Sequence, residues 1–286
     1  MSRLKKGDIV GRISYNKDVL FEITKIIRTS NNKEIYILKG ITERIEADAP
    51  GEDLELMDKR MIEDRIKIMD KKVENRITKC LKDPKYSFCK AQKIFGFGEK
   101  RSSKETFTGK ILHLDGDKRY TEKSMRYYKS LGLNAIVKNV SESKQPYVVK
   151  ALLNKYEPDI LVITGHDGMI KKGTGFNDIY NYRNSKYFIN TVNEARSWQK
   201  NGKTLAIFAG ACQSYYEAIM AAGANFASSP KRIMIDFIDP LIVAERIATT
   251  DSTKYLTIED IKDELRDGEA GISGIGSIGK KQKSTV

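Results

Sequence analysis

Two stretches decide the fold: Leu161-Val-Ile-Thr-Gly-His-Asp-Gly168 and Leu205-Ala-Ile-Phe-Ala-Gly-Ala-Cys212. Each is a run of apolar or β-branched residues that ends in small residues and then presents one reactive side chain. Such a run reads as a strand buried on both faces, leaving a parallel sheet. In open α/β sheets, chemistry collects just beyond the carboxyl ends of the strands. His166 and Cys212 therefore stand where an α/β enzyme holds catalytic groups.

Strand and helix patterns alternate on both sides of this pair. Lys110–Leu114 and Asn134–Val140 read as strands, with a helix over Arg119–Leu131 between them and Gly132 as its cap. Helices are expected around Tyr147–Tyr156, over Asn184–Lys200 and from Ser214 to Ala222, and a further strand at Arg232–Phe237. A closing helix is expected near Asp239–Thr249. Repeated strand–helix units predict an α/β/α sandwich with a mostly parallel sheet and right-handed crossovers over residues 109–250. Residues 251–286 read as a capped helix starting at Thr257, followed by a flexible basic tail rich in glycine.

The amino-terminal fifth follows another rule. Short strands near Ile9, Val19–Ile26, Glu34–Leu38 and Gly40–Ala47, with turns at Asn31-Asn32 and Pro50-Gly51, predict an SH3-like β-barrel over residues 1–56. It shows no aromatic-rich groove, so a docking role is expected. Over residues 57–108, Ile62, Ile66, Met69, Val73, Ile77 and Cys80 fall on one helical face, which reads as a connector packed on the next domain. Pro84 marks the end of that helix, and residues 85–109 read as a loop-rich linker.

The chain has 286 residues, 40% hydrophobic and 31% charged. That composition is globular, and the length is enough for a sizeable core. No apolar stretch approaches a membrane span, and the first residues lack a signal-peptide core, so a cytoplasmic protein is expected. Three cysteines are too few for a disulfide framework, and no pair has zinc-type spacing. Neither a metal nor an organic cofactor is expected. The net charge of +13 favours anionic partners and keeps one other class open, a non-catalytic basic coat-assembly or polyanion-binding protein. Nucleic acid is not the expected partner.

A thiol is a weak nucleophile until a base takes its proton, and imidazole is the usual base near neutral pH. Cys212, in Ala-Gly-Ala-Cys-Gln-Ser, is expected to open a helix whose dipole lowers the thiol pKa, with free N–H groups nearby to receive an oxyanion. His166 sits in a polar, glycine-flanked strand exit, a poor place for a core histidine. His113 is the competing base, but it lies inside a strand and reads as a buried structural residue. Asp115 and Asp117 follow at the carboxyl end of that strand, where they face the cleft, and Asp117 also reads as a helix cap. The long polar loop Lys171–Asn184, with Tyr180, Tyr182 and Arg183, reads as a substrate wall or lid.

The histidine precedes the cysteine by 46 residues, an order and spacing that resemble caspase- and clostripain-type cysteine peptidases. Glutamine-amidotransferase-like hydrolases place the histidine after the cysteine, and none follows Cys212. The runs Lys6-Gly-Asp-Ile-Val-Gly-Arg-Ile-Ser-Tyr15, Gly165-His-Asp-Gly168, Asn181-Tyr-Arg-Asn-Ser-Lys-Tyr-Phe188 and Ala209-Gly-Ala-Cys-Gln-Ser214 together resemble the sporulation-specific YabG protease family over nearly the whole chain. The resemblance implies an endopeptidase of the mother cell, associated with the spore coat. It would trim coat and germination-related proteins after basic residues, with His166 and Cys212 as its dyad. One departure bears on the site. Caspase-type enzymes have glycine directly after the histidine, whereas Asp167 intervenes here, which leaves open whether Asp167 or Gly168 joins Cys212 in the oxyanion hole. A first pocket for arginine or lysine needs a buried carboxylate. Asp115, Asp167, Asp178, Asp236 and Asp239 are the candidates.

Overall fold

A computed structural model of the chain describes residues 3–83, 106–170, 175–198 and 204–283. Residues 85–105 of the expected linker, with Cys89, residues 171–174 of the predicted lid and residues 199–200 of the predicted Asn184–Lys200 helix lie outside the described residues.

The amino-terminal module is an antiparallel sheet of β1 (Ile9–Arg12), β2 (Phe21–Arg28), β3 (Glu34–Gly40), β4 (Glu46–Pro50) and β5 (Leu54–Leu56). Their order is β4-β3-β2-β1-β5, so β4 and β5 are edges and the expected barrel is not closed by strand pairing. Pro50 at the end of β4 has no N–H to offer a further strand. Helix α1 (Lys59–Lys82) follows, capped by Asp58, whose carboxylate accepts the Arg60 N–H at 2.8 Å. It buries Met69, Val73 and Cys80 against the next layer, each apolar side chain stabilising by roughly 1.5–3 kcal/mol.

The central sheet has the order β13-β11-β10-β9-β7-β8, built from β7 (Ile111–Asp115), β8 (Ala135–Asn139), β9 (Ile160–Thr164), β10 (Ala206–Ala209), β11 (Phe226–Ser228) and β13 (Ile272–Gly274). All pairs are parallel except β11 with β13. Alternation along each inner strand sends side chains to two separate cores. Ile111, Ile160, Val162 and Phe208 face one layer, which holds α1, α2 (Lys118–Ser130) and α6 (Asp239–Thr249). Leu112, Leu161, Ile163 and Ile207 face the other, which holds α3 (Gln145–Tyr156), α4 (Ser185–Ser197) and α5 (Tyr216–Ala221). The sheet is thus covered on both faces.

Chain order reverses between β7 and its neighbour β9. From β7 the chain runs through α2 to β8, and from β8 it returns through α3 on the opposite face to β9. A crevice opens at the carboxyl ends of strands where connections part in this way.

The segment 232–237, expected as a strand, joins no sheet; β11 takes that place. Its buried Ile235 instead bonds the Cys212 thiol, and its buried Phe237 stacks on Tyr120. The expected helix after Thr257 is two short 3-10 turns, Ile258–Asp260 and Lys262–Glu264, the first closed by a Thr257–Asp260 capping box. The glycine-rich tail is built into the fold. After the four-residue helix α7 (Gly268–Gly271) it supplies β13 and β14 (Ser277–Ile278), which pairs with β12 (Tyr255–Leu256). It also supplies β15 (Gln282–Lys283), which pairs with β6 (Thr106–Phe107). Glycine permits the approach: a Cβ on Gly274 would stand 2.1 Å from the Asn225 carbonyl oxygen.

Candidate active site

Asp115 ends β7, His166 follows β9 by two residues and Cys212 follows β10 by three, so all three reach the crevice at the sheet's carboxyl edge. The turn that carries Cys212 depends on Gly210, whose φ of +117° suits glycine alone and whose Cβ would collide with Ser228 Oγ at 2.3 Å. Gly116 and Gly165 likewise leave space for one carboxylate, that of Glu142, which a Cβ at either position would meet at 2.3 and 2.5 Å.

Glu142 accepts the His166 backbone N–H at 2.8 Å, and its Oε1 lies 3.9 Å from the imidazole Nδ1. The fully buried ring stacks on Tyr120, with centroids 5.5 Å apart. Its Nε2 meets the Gly40 carbonyl oxygen at 2.9 Å; a carbonyl can only accept, so Nε2 carries the hydrogen and Nδ1 is the basic nitrogen. Burial holds the His166 pKa below its ordinary value, and nearby Lys39 adds to this, against the pull of Asp117 and Glu142.

Cys212 is fully buried. Its Sγ accepts the Ile235 N–H at 3.4 Å and donates to the Ile235 carbonyl at 3.8 Å, so thiol and imidazole are each turned to other partners. Burial pushes the thiol up to about 12, the reverse of the expected depression. The reason is positional: α5 starts four residues beyond Cys212, not at the cysteine, and has only six residues. A dipole effect confined to the first turn does not offset desolvation at that distance.

The backbone N–H of Cys212 and the backbone N–H of Asp167 point at one acceptor, the Arg44 carbonyl oxygen, at 3.2 Å each. The Gly168 N–H is turned aside to Asp167 Oδ1 at 2.9 Å. The Asp167 carboxylate faces away from the crevice, toward the Gly168 and Asn184 N–H groups and the hydroxyls of Ser185 and Ser214. Burial raises its pKa to about 7. Its hydrogen bonds tie the His166 exit to the start of α4 and to the Cys212 turn, which sets the spacing of the two N–H donors.

The five carboxylate candidates separate. Asp115 is fully buried, receives the Thr164 hydroxyl and the Asp117 N–H at 2.8 Å each, and lies 2.7 Å from the Arg44 guanidinium. Asp236 pairs with Lys72 at 2.6 Å beside the loop residues Thr42 and Glu43. Asp239 is buried, is pushed up to about 7 by desolvation, and receives the N–H groups of Asp236 and Arg266. Asp178 caps a surface turn at the Tyr180 N–H. Asp117 caps α2 through the Arg119 N–H at 2.7 Å. His113 is structural: fully buried, its Nε2–H donates to Thr164 Oγ1 at 2.7 Å and its Nδ1 accepts from Tyr128 at 3.2 Å, with its pKa lowered to about 3 by burial. Among the described residues no cluster of three or more His, Cys, Asp or Glu could hold a metal ion.

Sequence reasoning missed Arg44, Glu142, Tyr120 and Phe237. The Arg44 guanidinium lies 4.4 Å from the Tyr120 ring centre and 5.4 Å from that of Phe237. Both are within reach of a cation–π attraction. No periodicity marks these residues, because the crevice joins four separate elements.

A thiol-bearing turn, a buried imidazole and two convergent N–H groups form an arrangement that acyl transfer could use. The comparisons give the class, a peptidase. Residues 5–285 match the family model described as YabG peptidase U57, and the chain belongs to this peptidase family. It is 37% identical over 275 residues to the sporulation-specific protease YabG of Bacillus subtilis (strain 168), covering 96% of this chain and 94% of that protein. No solved structure matches. Among the described residues, no helix is long and apolar enough to cross a membrane.

Proposed function

We propose that the chain is a cysteine endopeptidase of sporulation, with a caspase-like catalytic unit, that cuts proteins after arginine or lysine. The observation that carries the reading is the pair of N–H groups, Cys212 and Asp167, converging on a single carbonyl oxygen whose own arginine side chain ends on Asp115. A carbonyl so held is polarised for attack, and the residue that owns it defines the first specificity pocket.

The roles follow. Cys212 attacks the scissile carbonyl after its proton passes to Nδ1 of His166. The Cys212 and Asp167 N–H groups hold the oxyanion. His166 returns the proton to the leaving amine, and water then hydrolyses the thioester. Asp115 receives the basic side chain, with Tyr120 and Phe237 as its walls. Glu142 orients His166 and steadies the imidazolium. The relative's name supports action during sporulation, and spore coat and germination-related proteins of the mother cell are the proposed substrates.

The test is an assay on arginyl, lysyl and aspartyl peptides. Wild type should cut the first two, and folded Cys212→Ala and His166→Ala should cut none. Undiminished cleavage by either variant removes this dyad.

A further inference from the structure

The residue that fills the first pocket belongs to the chain itself. Arg44 sits in the loop joining β3 to β4, a hairpin closed by the Gly40 N–H donating to Ile45 O at 2.8 Å and by the Lys39–Glu46 pairing. The loop sequence Thr42-Glu43-Arg44 is polar, and such a tip ordinarily lies in solvent. Here Arg44 is fully buried in the other unit, against Asp115, Tyr120 and Phe237.

The backbone around it lies as a substrate would. Arg44 O occupies the two-N–H seat. Ile45 bridges to Asp167, and the Glu46 N–H donates to Asp167 O at 2.7 Å, so the residues after Arg44 run along the His166 exit as an added strand segment. Gly168 makes room for them: a Cβ there would stand 2.1 Å from Glu46 O. On the other side, Gly40 O engages His166. Every group assigned to catalysis is thus covered by this one loop.

The fit of the side chain is incomplete. The Arg44–Asp115 pair is a close charge contact at 2.7 Å, yet none of the guanidinium nitrogens makes a well-aligned hydrogen bond. A buried charge held without full hydrogen bonding is costly to keep in place. A purely structural arginine would have settled into a better-satisfied site, whereas a peptide held until it is cut need only present its carbonyl.

Resting on the cysteine-peptidase reading, we propose that the chain is its own first substrate and cuts the Arg44–Ile45 bond within the same molecule, unplugging the crevice. The thiol rotates from Ile235, and Sγ adds to the Arg44 carbonyl carbon as its proton passes to His166. The C–N bond to Ile45 breaks, and the Ile45 nitrogen takes the proton and leaves as a free amine. Water then adds to the Arg44 thioester, which gives the Arg44 carboxylate and restores the thiol. No oxidant, reductant or cofactor enters. β3 and β4 remain paired in the module's sheet, so the two pieces stay associated while Arg44, no longer tethered on both sides, withdraws.

The test uses the full-length chain, analysed under denaturing conditions by intact mass and by sequencing of new amino termini, alongside an external arginyl peptide. Expected are fragments 1–44 and 45–286, a new terminus Ile45-Glu-Ala-Asp, and a rate independent of dilution. The cut should be absent in Cys212→Ala, reduced about 100-fold or more in Arg44→Gln, and retained in Arg44→Lys. Uncut Arg44→Gln should cleave the external peptide more slowly than wild type, because the loop backbone still occupies the two N–H groups and His166. If wild type cuts the external peptide while its own Arg44–Ile45 bond stays intact, the self-cleavage is overturned and the peptidase reading stands. A cut that slows with dilution or persists undiminished in Arg44→Gln also overturns it. If wild type cuts neither, both readings fall.

Discussion

The guanidinium of Arg44 and the carboxylate of Asp115 meet at 2.7 Å with both side chains fully buried, joining a hairpin loop of the amino-terminal module to the end of β7. Asp115 is held for this by Thr164 and by the Asp117 N–H, each at 2.8 Å, so the carboxylate points into the pocket before any ligand enters.

Asp115→Asn keeps an oxygen for the Asp117 N–H, turns its amide NH2 toward the Thr164 hydroxyl and removes the charge that faces Arg44. Losing one member of a buried ion pair costs about 3–5 kcal/mol. The expected result is a fall in kcat/KM on arginyl and lysyl peptides of about 100-fold or more, with unchanged circular dichroism. An arginyl rate equal to wild type would place the first pocket at another carboxylate.

Cys212 should be nearly inert to alkylation while the loop is in place. With its pKa pushed up to about 12, roughly one thiol in 10⁴ is ionised at pH 8, and the thiolate is the reactive form. Labelling with iodoacetamide, followed by mass mapping of the Cys212 peptide, should be slow in intact chains and should quicken about tenfold per pH unit above pH 8. Rapid labelling of intact chains at pH 7 would show that the crevice is open in solution.

The parallel sheet is legible in the sequence because β9 and β10 are buried on both faces, and an unbroken apolar run between glycine-rich turns fits little besides a central strand. The strand ends that carry His166 and Cys212 are legible for the same reason, since topology alone brings them to one edge. Segment 232–237 imitates a strand because alternation at Ile235 and Phe237 records burial, not a strand partner; Ile235 packs with Cys212, and Phe237 stacks on Tyr120. Arg44 cannot be read at all. Its loop tip looks solvated, and its burial depends on Asp115, Tyr120 and Phe237, which lie 71 or more positions away in sequence. Glu142 is hidden likewise, in a short turn whose role emerges only when Gly116 and Gly165 close around it.

Replacing His113 should affect stability in a pH-dependent way and leave the chemistry in place. Its folded pKa, about 3, lies below the ordinary value of 6.5, so the unfolded chain binds more protons between those limits. Its contribution is therefore complete above pH 6.5 and is lost as pH falls toward 3. His113→Asn should be less stable than wild type by about 1–3 kcal/mol at pH 7, because Thr164 and Tyr128 lose a partner. That gap should narrow as the pH is lowered to 4. Thermal melts of both proteins over this range decide it; a gap that widens on acidification contradicts the assignment.

Glu142→Gln separates orientation from catalysis. Glutamine retains the oxygen that accepts the His166 N–H, so the ring stays placed, but the negative charge 3.9 Å from Nδ1 is lost. That charge raises the His166 pKa, and in the proposed dyad it would favour the imidazolium formed when Cys212 gives up its proton. Two effects should appear together: kcat on an arginyl peptide falls about tenfold with KM unchanged, and the acid limb of the kcat profile moves to lower pH. Glu142 touches no part of the bound arginine, so KM has no reason to change. A purely structural role predicts instead a loss of active protein with the pH profile of the remainder unmoved. Measuring both parameters from pH 5 to 9 distinguishes the two, and an unmoved limb would reduce Glu142 to a packing residue beneath Gly116 and Gly165.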